Sequence, residues 1–250
     1  MTSPSKPPVL EDILFLDIET VSQTETLNEL DNEWQQLWLE KSKYNRERKQ
    51  QTIEASYEEA GIYAEFGKII CISAGYFEHE DNSQVFKVTS FFGNDEYHLL
   101  ESFIQFLETG WRRLCAHNGK EFDFPYLCRR MLVNGFELPS NLDLAGKKPW
   151  ENPHIDTMEM WKFGDYKHYS SVRLLAKLFD IPTPKDDIDG SQVRDVFYLD
   201  NDIDRIERYC KKDVVTVARL YLRLCSLESF ADRAIQWLPM SRYDIAHQDA

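Results

Sequence analysis

The order of predicted elements along the chain indicates a mixed α/β fold. Three segments in the first hundred residues have the composition of β-strands, and the remainder alternates between helical and strand-like segments. Early strands followed by alternating helices and strands predict a single domain in which a mixed sheet is flanked by helices. With 250 residues, of which 42% are hydrophobic, the chain is long enough to bury the core of such a domain.

The first predicted strand is the run Ile13-Leu14-Phe15-Leu16-Asp17-Ile18-Glu19-Thr20. Its apolar residues are typical of a strand buried on both faces, yet Asp17 and Glu19 interrupt it. Side chains two residues apart in a strand point to the same side, so the two carboxylates converge. Taken alone, this stretch is compatible with solvated acids at a strand end or with a divalent metal site, because close like charges raise each other's pKa unless a cation lies between them.

Periodicity and turn residues predict the other elements. A polar, helix-favouring insertion at about residues 25–60 follows the first strand, and we expect one or two helices there, over the edge of the domain. The remaining predictions, in chain order, are strands over 68–77 and 84–92, a helix capped by Asn94 and ending at Leu107, a strand over 113–117, a helix over 122–134 ended by Gly135, a strand or strand-helix junction over 155–163, a short helix over 171–179 and a long amphipathic helix over 202–224.

Charge is distributed unevenly along the chain. The net charge is −14, which argues against a protein that coats nucleic acid through a basic surface. Residues 1–100 carry a net charge of −11, whereas residues 101–180 are neutral and residues 181–250 carry −3. A polyanion is therefore expected to bind the later part of the chain, where Arg112, Arg113, Arg129 and Arg130 are candidate phosphate contacts, although each is equally explained as a solvated charge.

Cysteine and hydropathy patterns indicate a cytoplasmic protein. The five cysteines are odd in number and never spaced CxxC, so we expect reduced, mostly buried thiols without a disulfide or zinc role. No apolar run approaches the roughly 18 residues needed to cross a membrane, so no membrane association is expected. Residues 1–10 are expected to be a disordered tail without a signal peptide, and residues 11–240 a single domain.

Two further motifs carry acids. In Ala116-His117-Asn118-Gly119-Lys120-Glu121-Phe122-Asp123, a strand ends in an Asn-Gly turn and an acid enters the next helix. In the last helix, Tyr209 and Asp213 are four residues apart and face the same way. Each motif alone has an ordinary structural explanation: Asp123 as an acid at a helix N-terminus, Tyr209 as a core aromatic and Asp213 as a solvated acid.

Together the three motifs resemble those of the DEDDy 3′-5′ exonucleases, ribonuclease H-like nucleases that include polymerase proofreading domains. The resembling residues are Asp17-Ile18-Glu19-Thr20, then Asn118 with Phe122-Asp123, then Tyr209 with Asp213. Their order and separations fit over about 200 residues, and Ile155-Asp156-Thr157-Met158 and Asp189-Gly190-Ser191-Gln192-Val193 add to the likeness, which is greatest to stand-alone exonucleases related to the family B polymerase proofreading domain. The resemblance implies a ribonuclease H-like mixed sheet of five strands, and the insertion at about 25–60 is the main departure from it.

The resemblance also implies a metal-dependent 3′-5′ exonuclease that releases nucleoside 5′-monophosphates. By similarity, Asp17 would bridge two divalent ions, Glu19 and Asp213 would complete the site that holds the attacking water, and Asp123 would hold the second ion directly or through water. Hard Mg²⁺ or Mn²⁺ prefers such oxygen ligands. Tyr209 would orient the water, because a phenol with a pKa of about 10 is a poor general base at neutral pH.

The substrate is expected to be nucleic acid, with single-stranded DNA favoured. An exoribonuclease acting on short RNA and a non-catalytic nucleic-acid-binding module are the alternatives, and no partner protein can be deduced. Thr20, Asn118 and Phe122 are candidate substrate-binding residues, although packing in the core is favoured for Phe122.

Three other residues have competing explanations. Asp156 is either a supporting group behind the metal ligands or a helix cap. Ser191 either presents backbone amides to a phosphate or caps a helix. His117 is expected to be a hydrogen-bonded strand-end histidine rather than a metal ligand.

Overall fold

The structure is a computed structural model that describes residues 9–81, 83–165, 169–182, 188–239 and 241–243. Most of the tail expected over residues 1–10 lies outside these ranges. Leu10 begins a 3₁₀ helix that leads directly into the first strand, and its side chain packs against the core.

The sheet of the described chain has seven strands. They are β1 (Ile13–Ser22), β2 (Gly67–Glu80), β3 (Ser83–Gly93), β4 (Arg113–Ala116), β5 (Ile155–Asp156), β6 (Ile235–Trp237) and β7 (Ser241–Tyr243). The spatial order is β5-β4-β1-β2-β3-β6, with β7 also paired to β3. β2 is antiparallel to both β1 and β3, whereas β4, β5, β6 and β7 run parallel to the strands that they join. The sheet is therefore mixed, as predicted.

The predicted count of five strands was wrong. The chain that follows the last helix returns along the outer edge of β3 and adds two three-residue strands, β6 and β7. Such short segments cannot show the alternating pattern that identifies a strand in a sequence. Their pairing with β3 depends on the tertiary fold.

Eight α-helices accompany the sheet in the described ranges. They are α1 (Asn32–Lys49), α2 (Ile53–Tyr57), α3 (Glu96–Leu107), α4 (Asp123–Val133), α5 (Thr157–Lys162), α6 (Val172–Leu178), α7 (Val193–Tyr198) and α8 (Ile203–Leu224). The insertion forms two helices as expected, and they enclose Trp38, whose indole N–H donates a hydrogen bond of 3.1 Å to Ser56 Oγ. The predicted cap of α3 was wrong by one residue, because the carboxylate of Asp95 rather than Asn94 accepts from the His98 N–H.

The two faces of β1 contact different parts of the hydrophobic core. Leu14, Leu16 and Ile18 face a layer to which α3 and α4 contribute. Ile13 and Phe15 face the opposite layer, which includes α8. Because side chains alternate along a strand, Asp17 and Glu19 share the face of Phe15 and point toward α8.

A buried ion pair joins α3 to α4. Arg130 donates to both carboxylate oxygens of Glu96, at 2.9 and 2.5 Å, and to the Ala64 carbonyl at 2.9 Å. Glu96 also accepts from the Ile69 N–H at 2.7 Å. Arg130 is 6% exposed and bonded within the core, so it is neither of the two alternatives considered for it, a phosphate contact or a solvated charge.

The length and hydropathy of a helix determine whether it could span a membrane. None of the described helices combines the length and the apolar composition needed to span a bilayer.

Candidate active site

The first two acids of the site leave β1 side by side. Glu19 is 8% exposed and Asp17 is half-buried. The pairing of β1 with β2 shifts register directly after Glu19, so a bulge follows the two acids. One carboxylate oxygen from each residue and the Sγ of Cys210 lie within 4.8 Å of one another. Rigid central-strand backbone therefore brings the two acids to one point.

α8 brings the third acid to the same point. Its buried face packs against β1, and the Sγ of Cys210 donates a 3.4 Å hydrogen bond to the Asp17 carbonyl. Tyr209 and Asp213 lie one turn apart on this helix and are hydrogen-bonded to each other through their side chains. The contact between Cys210 and Asp17 thus places the Tyr209 and Asp213 side chains beside the acids of β1.

A tight turn after β4 carries the fourth acid. Asn118 has a φ of 64°, and its carbonyl accepts from the Phe122 N–H at 2.9 Å. A Cβ on Gly119 would lie 2.5 Å from the Cβ of Ala116, so the turn requires glycine at this position. Asp123 follows as the first residue of α4 and is 3% exposed.

Asp156 holds this turn in place. Its carboxylate accepts from the N–H groups of Asn118 and Lys120, at 3.0 and 3.1 Å. The same carboxylate caps α5 by accepting from the N–H groups of Met158 and Glu159, at 2.9 and 3.2 Å. The cap expected of Asp156 is confirmed, and the same buried side chain also supports the turn that leads to Asp123, while its place behind metal ligands stays a prediction.

The four carboxylates interact electrostatically. Burial raises the pKa of Asp17 well above its usual value, and Glu19, Asp213 and Asp123 raise it further. The pKa of Glu19 is also raised well above its usual value, first by burial and then by Asp213 and Asp123. Burial raises the pKa of Asp123 to about 7, with a further contribution from Asp156. A divalent cation would relieve this repulsion, and the oxygen-rich donor set fits a hard ion such as Mg²⁺ or Mn²⁺.

Tyr209 remains protonated beside these acids. Its pKa is raised far above the usual value, first by burial and then by the negative charges of Asp213, Glu19 and Asp17. The phenol can therefore donate a hydrogen bond but cannot act as a base at neutral pH.

A cavity of about 510 Å³ opens beside Glu19. Thr20 and Phe122 line it, together with the end of the insertion, and the Thr20 hydroxyl donates a 2.8 Å hydrogen bond to the Gly61 carbonyl. The Phe122 ring also packs on Tyr126, so this residue is both part of the core edge and part of the wall. Asn118, the third candidate substrate-binding residue, is not among the described residues that line this cavity.

Two other sequence interpretations have clear outcomes. Both ring nitrogens of His117 are hydrogen-bonded, to Thr157 Oγ1 at 2.8 Å and to the Ser170 carbonyl at 2.7 Å, which confirms the expected structural role. Ser191 does not cap a helix, because its N–H and hydroxyl both donate to Asp189 and α7 begins only at Val193.

Sequence reasoning missed several residues of the site. Cys210 lies among the acids, and its position next to Tyr209 on α8 was the available signal. The cavity walls also include Glu58, Glu59, Ile62 and Arg194. No local pattern in the sequence connects these residues with β1.

The mixed sheet and its flanking helices are consistent with the fold of a ribonuclease H-like exonuclease. The sequence model of a family described as "Predicted 3'-5' exonuclease related to the exonuclease domain of PolB" matches residues 62–236. Since the match spans more than half of the chain, the protein belongs to this family. The matched residues include Asp123, Tyr209 and Asp213, while β1 precedes them.

A solved structure shares the fold. The family B DNA polymerase from the hyperthermophilic archaeon Pyrobaculum calidifontis is similar to this chain with a TM-score of 0.54 and 14% sequence identity. The similarity covers 89% of this chain and 25% of the polymerase chain, so the protein spans about a quarter of the length of that polymerase. At this identity the likeness concerns the fold alone. No curated protein sequence matches the chain significantly.

Proposed function

We propose that this protein is a divalent-metal-dependent 3′-5′ exonuclease that removes nucleoside 5′-monophosphates from the 3′ end of single-stranded DNA. The family assignment supports a general 3′-5′ exonuclease function. The observation that carries the finer proposal is the mutual electrostatic influence of Asp17, Glu19, Asp123 and Asp213, which share one site. The relation of the family to a DNA polymerase domain favours DNA over RNA as the substrate.

The four acids are proposed as the metal ligands. Asp17 is proposed to contact two ions, as the resemblance to the exonuclease motifs implies. Glu19 and Asp213 would complete one ion site and Asp123 the other. Bound ions would neutralise the charge that develops on the attacking and leaving oxygens of the phosphodiester.

Tyr209 is proposed to position the attacking water. Its hydroxyl is held by Asp213 and stays protonated, so it contributes orientation rather than proton abstraction. Attack of the water on the last phosphodiester breaks the bond to the 3′ oxygen of the preceding nucleotide. The products are a nucleoside 5′-monophosphate and a strand that is one nucleotide shorter and ends in a 3′ hydroxyl.

The cavity beside Glu19 is proposed to hold the terminal nucleotide. Its volume of about 510 Å³ is within the range typical of ligand pockets. Thr20 and Phe122 form part of its wall and are the proposed substrate contacts. Asn118 is proposed to act through the backbone of its turn, which delivers Asp123 to the site.

A digestion panel tests the proposal. Labelled single- and double-stranded DNA and RNA are incubated with Mg²⁺, with Mn²⁺ or with excess chelator. Stepwise shortening of linear single-stranded DNA from its 3′ hydroxyl, only in the presence of a divalent ion, is the expected result. Full hydrolysis in chelator would refute metal dependence, equal cleavage of circular and linear strands would show an endonuclease, and faster cleavage of RNA would show an exoribonuclease.

A further inference from the structure

A second cavity adjoins the turn that carries Asp123. Its volume is about 670 Å³, and Lys120 and Glu121 of the turn form one wall. Helix α5 and the loop over residues 144–152 contribute most of the remaining wall. Because Phe122 lines the cavity beside Glu19, neighbouring residues of one short turn line both cavities. We call this second cavity the lysine-aromatic cavity.

Four lysines line the lysine-aromatic cavity, in two pairs with different surroundings. Lys120 forms an ion pair of 2.5 Å with Glu159, and Lys162 forms one of 3.5 Å with Glu121, so these lysines link the turn to α5. Lys147 and Lys148 lie on the facing loop, are exposed, and form no ion pair with any described residue.

Four acids also line the cavity, so the formal charges of its wall balance, but two of these acids are paired with lysines other than the loop lysines. Glu121 and Glu159 are paired with the other two lysines, and the Asp156 carboxylate accepts four backbone hydrogen bonds. Asp165 is the remaining acid in the lining. In a chain with a net charge of −14, Lys147 and Lys148 thus supply local positive charge beside the proposed active site.

Exposed aromatic side chains accompany these lysines. Tyr169 lines the cavity, is 63% exposed, and has Lys162 Nζ 4.2 Å from its ring centroid. Trp150 follows the lining residue Pro149, is 77% exposed, and has Lys148 Nζ 5.2 Å from its ring. Aromatic rings that are open to solvent beside cations are the combination that binds single-stranded nucleic acid, because bases stack on the rings and phosphates contact the cations.

We propose that the lysine-aromatic cavity binds the single strand on the 5′ side of the scissile phosphodiester. This inference rests on the proposed function. A strand whose last nucleotide occupies the cavity beside Glu19 crosses the turn at Asp123 and reaches Lys147, Lys148 and Trp150. Asp156 makes the shared turn rigid, so the two cavities keep a constant offset. Because stacking on Trp150 requires an unpaired base, this contact favours single strands over duplexes.

A basic segment of α1 is the competing surface for the strand. Five of the eight lysines and arginines in residues 1–100 lie between Lys41 and Lys49. Lys49 is paired with Glu59, and Lys41 lies over the Tyr63 ring, so part of this charge serves internal contacts. Lys43 and Arg48 are exposed on α1 and offer a control variant with the same loss of charge.

The test compares a long and a minimal substrate. The test variants are the double variant Lys147→Gln with Lys148→Gln and the single variant Trp150→Ala, and the control is Lys43→Gln with Arg48→Gln. The substrates are a single-stranded DNA of about ten nucleotides, within the range of single-strand binding sites, and the p-nitrophenyl ester of thymidine 5′-monophosphate. The ester lacks any nucleotide 5′ of the scissile bond, so it reports the integrity of the acid cluster and of the fold.

The expected result is a loss confined to the long substrate. In the double lysine variant, KM for the oligonucleotide rises, and the slope of log KM against log salt falls by about 1.4, because each phosphate contact to a single strand contributes about 0.7. In Trp150→Ala, KM for the oligonucleotide rises by about 5- to 150-fold, the effect of one lost stacking contact. All variants hydrolyse the ester at the wild-type rate, and the control variant matches wild type on both substrates.

Other outcomes overturn the inference. An unchanged salt slope in the lysine variant, an equal loss in the α1 control, or an equal loss on the ester would each exclude a specific role for this cavity. If wild type cleaves neither substrate, the proposed function fails on its own. Binding of the labelled oligonucleotide in chelator then decides the question for the cavity, and equal Kd values for wild type and the lysine variant would refute it.

Discussion

The charges of two groups of carboxylates in this domain have opposite surroundings. Glu96 is 9% exposed and receives hydrogen bonds from Ile69, Arg130 and Asn134, so its charge is balanced within the protein. Asp17 and Glu19 leave the central strand of the same sheet, and the charges that act on them are those of other acids. The protein itself balances the charge of Glu96, whereas the proposed metal ions would balance the charge of Asp17 and Glu19.

The difference is the one expected between a structural acid and the proposed metal ligands. A buried carboxylate is costly unless its charge is balanced, so several acids brought together at the centre of a sheet mark a candidate functional site. Glu96 joins α3, α4 and β2, and its partners are part of the core. If the cluster at Asp17 is the proposed metal site, its acids should destabilise the metal-free fold. Each prediction below tests one side of this contrast.

The largest effect is expected when Asp17 is removed. Asp17→Ala should lower exonuclease turnover by about 10³-fold or more, since a metal ion supplies several kcal/mol of transition-state stabilisation. The metal-free variant should be at least as stable as wild type in thermal unfolding, because carboxylate repulsion is reduced. Asp12→Ala, just before β1, is the matched control and should keep full activity. Wild-type turnover in Asp17→Ala would show that this acid is not a metal ligand.

The next effect concerns the paired carboxylate. Arg130→Met should lower the free energy of unfolding by about 3–5 kcal/mol in denaturant titrations, because Glu96 is left buried without its counter-charge. The matched control is Lys49→Met, which breaks the exposed pair with Glu59 and should cost about 0–1 kcal/mol. Similar losses in the two variants would remove the distinction between the buried pair and a surface pair.

The pH dependence of stability should show the cost of burying Asp123. In chelator, the pKa of Asp123 is about 7 in the folded chain against a usual value of 3.8. The folded state therefore keeps a proton that the unfolded state loses, so this contribution to stability is complete below about pH 4 and disappears as pH rises through 7. Relative to Asp123→Asn, wild type should lose about 2–4 kcal/mol of unfolding free energy over this range, and Mg²⁺ should restore much of it at pH 7. A difference between the two proteins that does not change with pH would contradict this account.

The smallest effect is expected at Tyr209. Tyr209→Phe should lower turnover by about 10²-fold, the lower end of the range for a positioned proton-transfer group, because the raised pKa of the phenol limits it to orienting water. Metal dependence and strand binding should persist. Tyr221→Phe, a buried tyrosine further along α8, is the control and should cleave at the wild-type rate. A wild-type rate in Tyr209→Phe under conditions where chemistry limits turnover would leave this residue with a packing role only.

Much of this fold was predictable because it depends on local periodicity. The apolar composition of β1 is typical of a strand buried on both faces, and the amphipathic pattern of α8 is typical of a helix with one buried face. Each pattern identifies its element without reference to the rest of the chain. Because side chains alternate along a strand, Asp17 and Glu19 lie on one face of β1. Because residues four apart in a helix are neighbours, Tyr209 and Asp213 lie on one face of α8. That these two sets meet was an expectation from the family resemblance, and the packing of α8 on β1 is the contact that brings them together.

By itself, then, the sequence determined the order of the main strands and helices and the local geometry of each acidic motif, because both follow from the spacing of neighbouring residues. Only the tertiary structure decided which charged groups are partners. Arg130 pairs with Glu96 across 34 residues of sequence, and Asp156 holds the Asn118 turn across 38. The strands β6 and β7, and the placement of the insertion beside Glu19, also depend on contacts between distant segments. Such contacts leave no periodic signal in the chain, because they are set by the packing of whole elements.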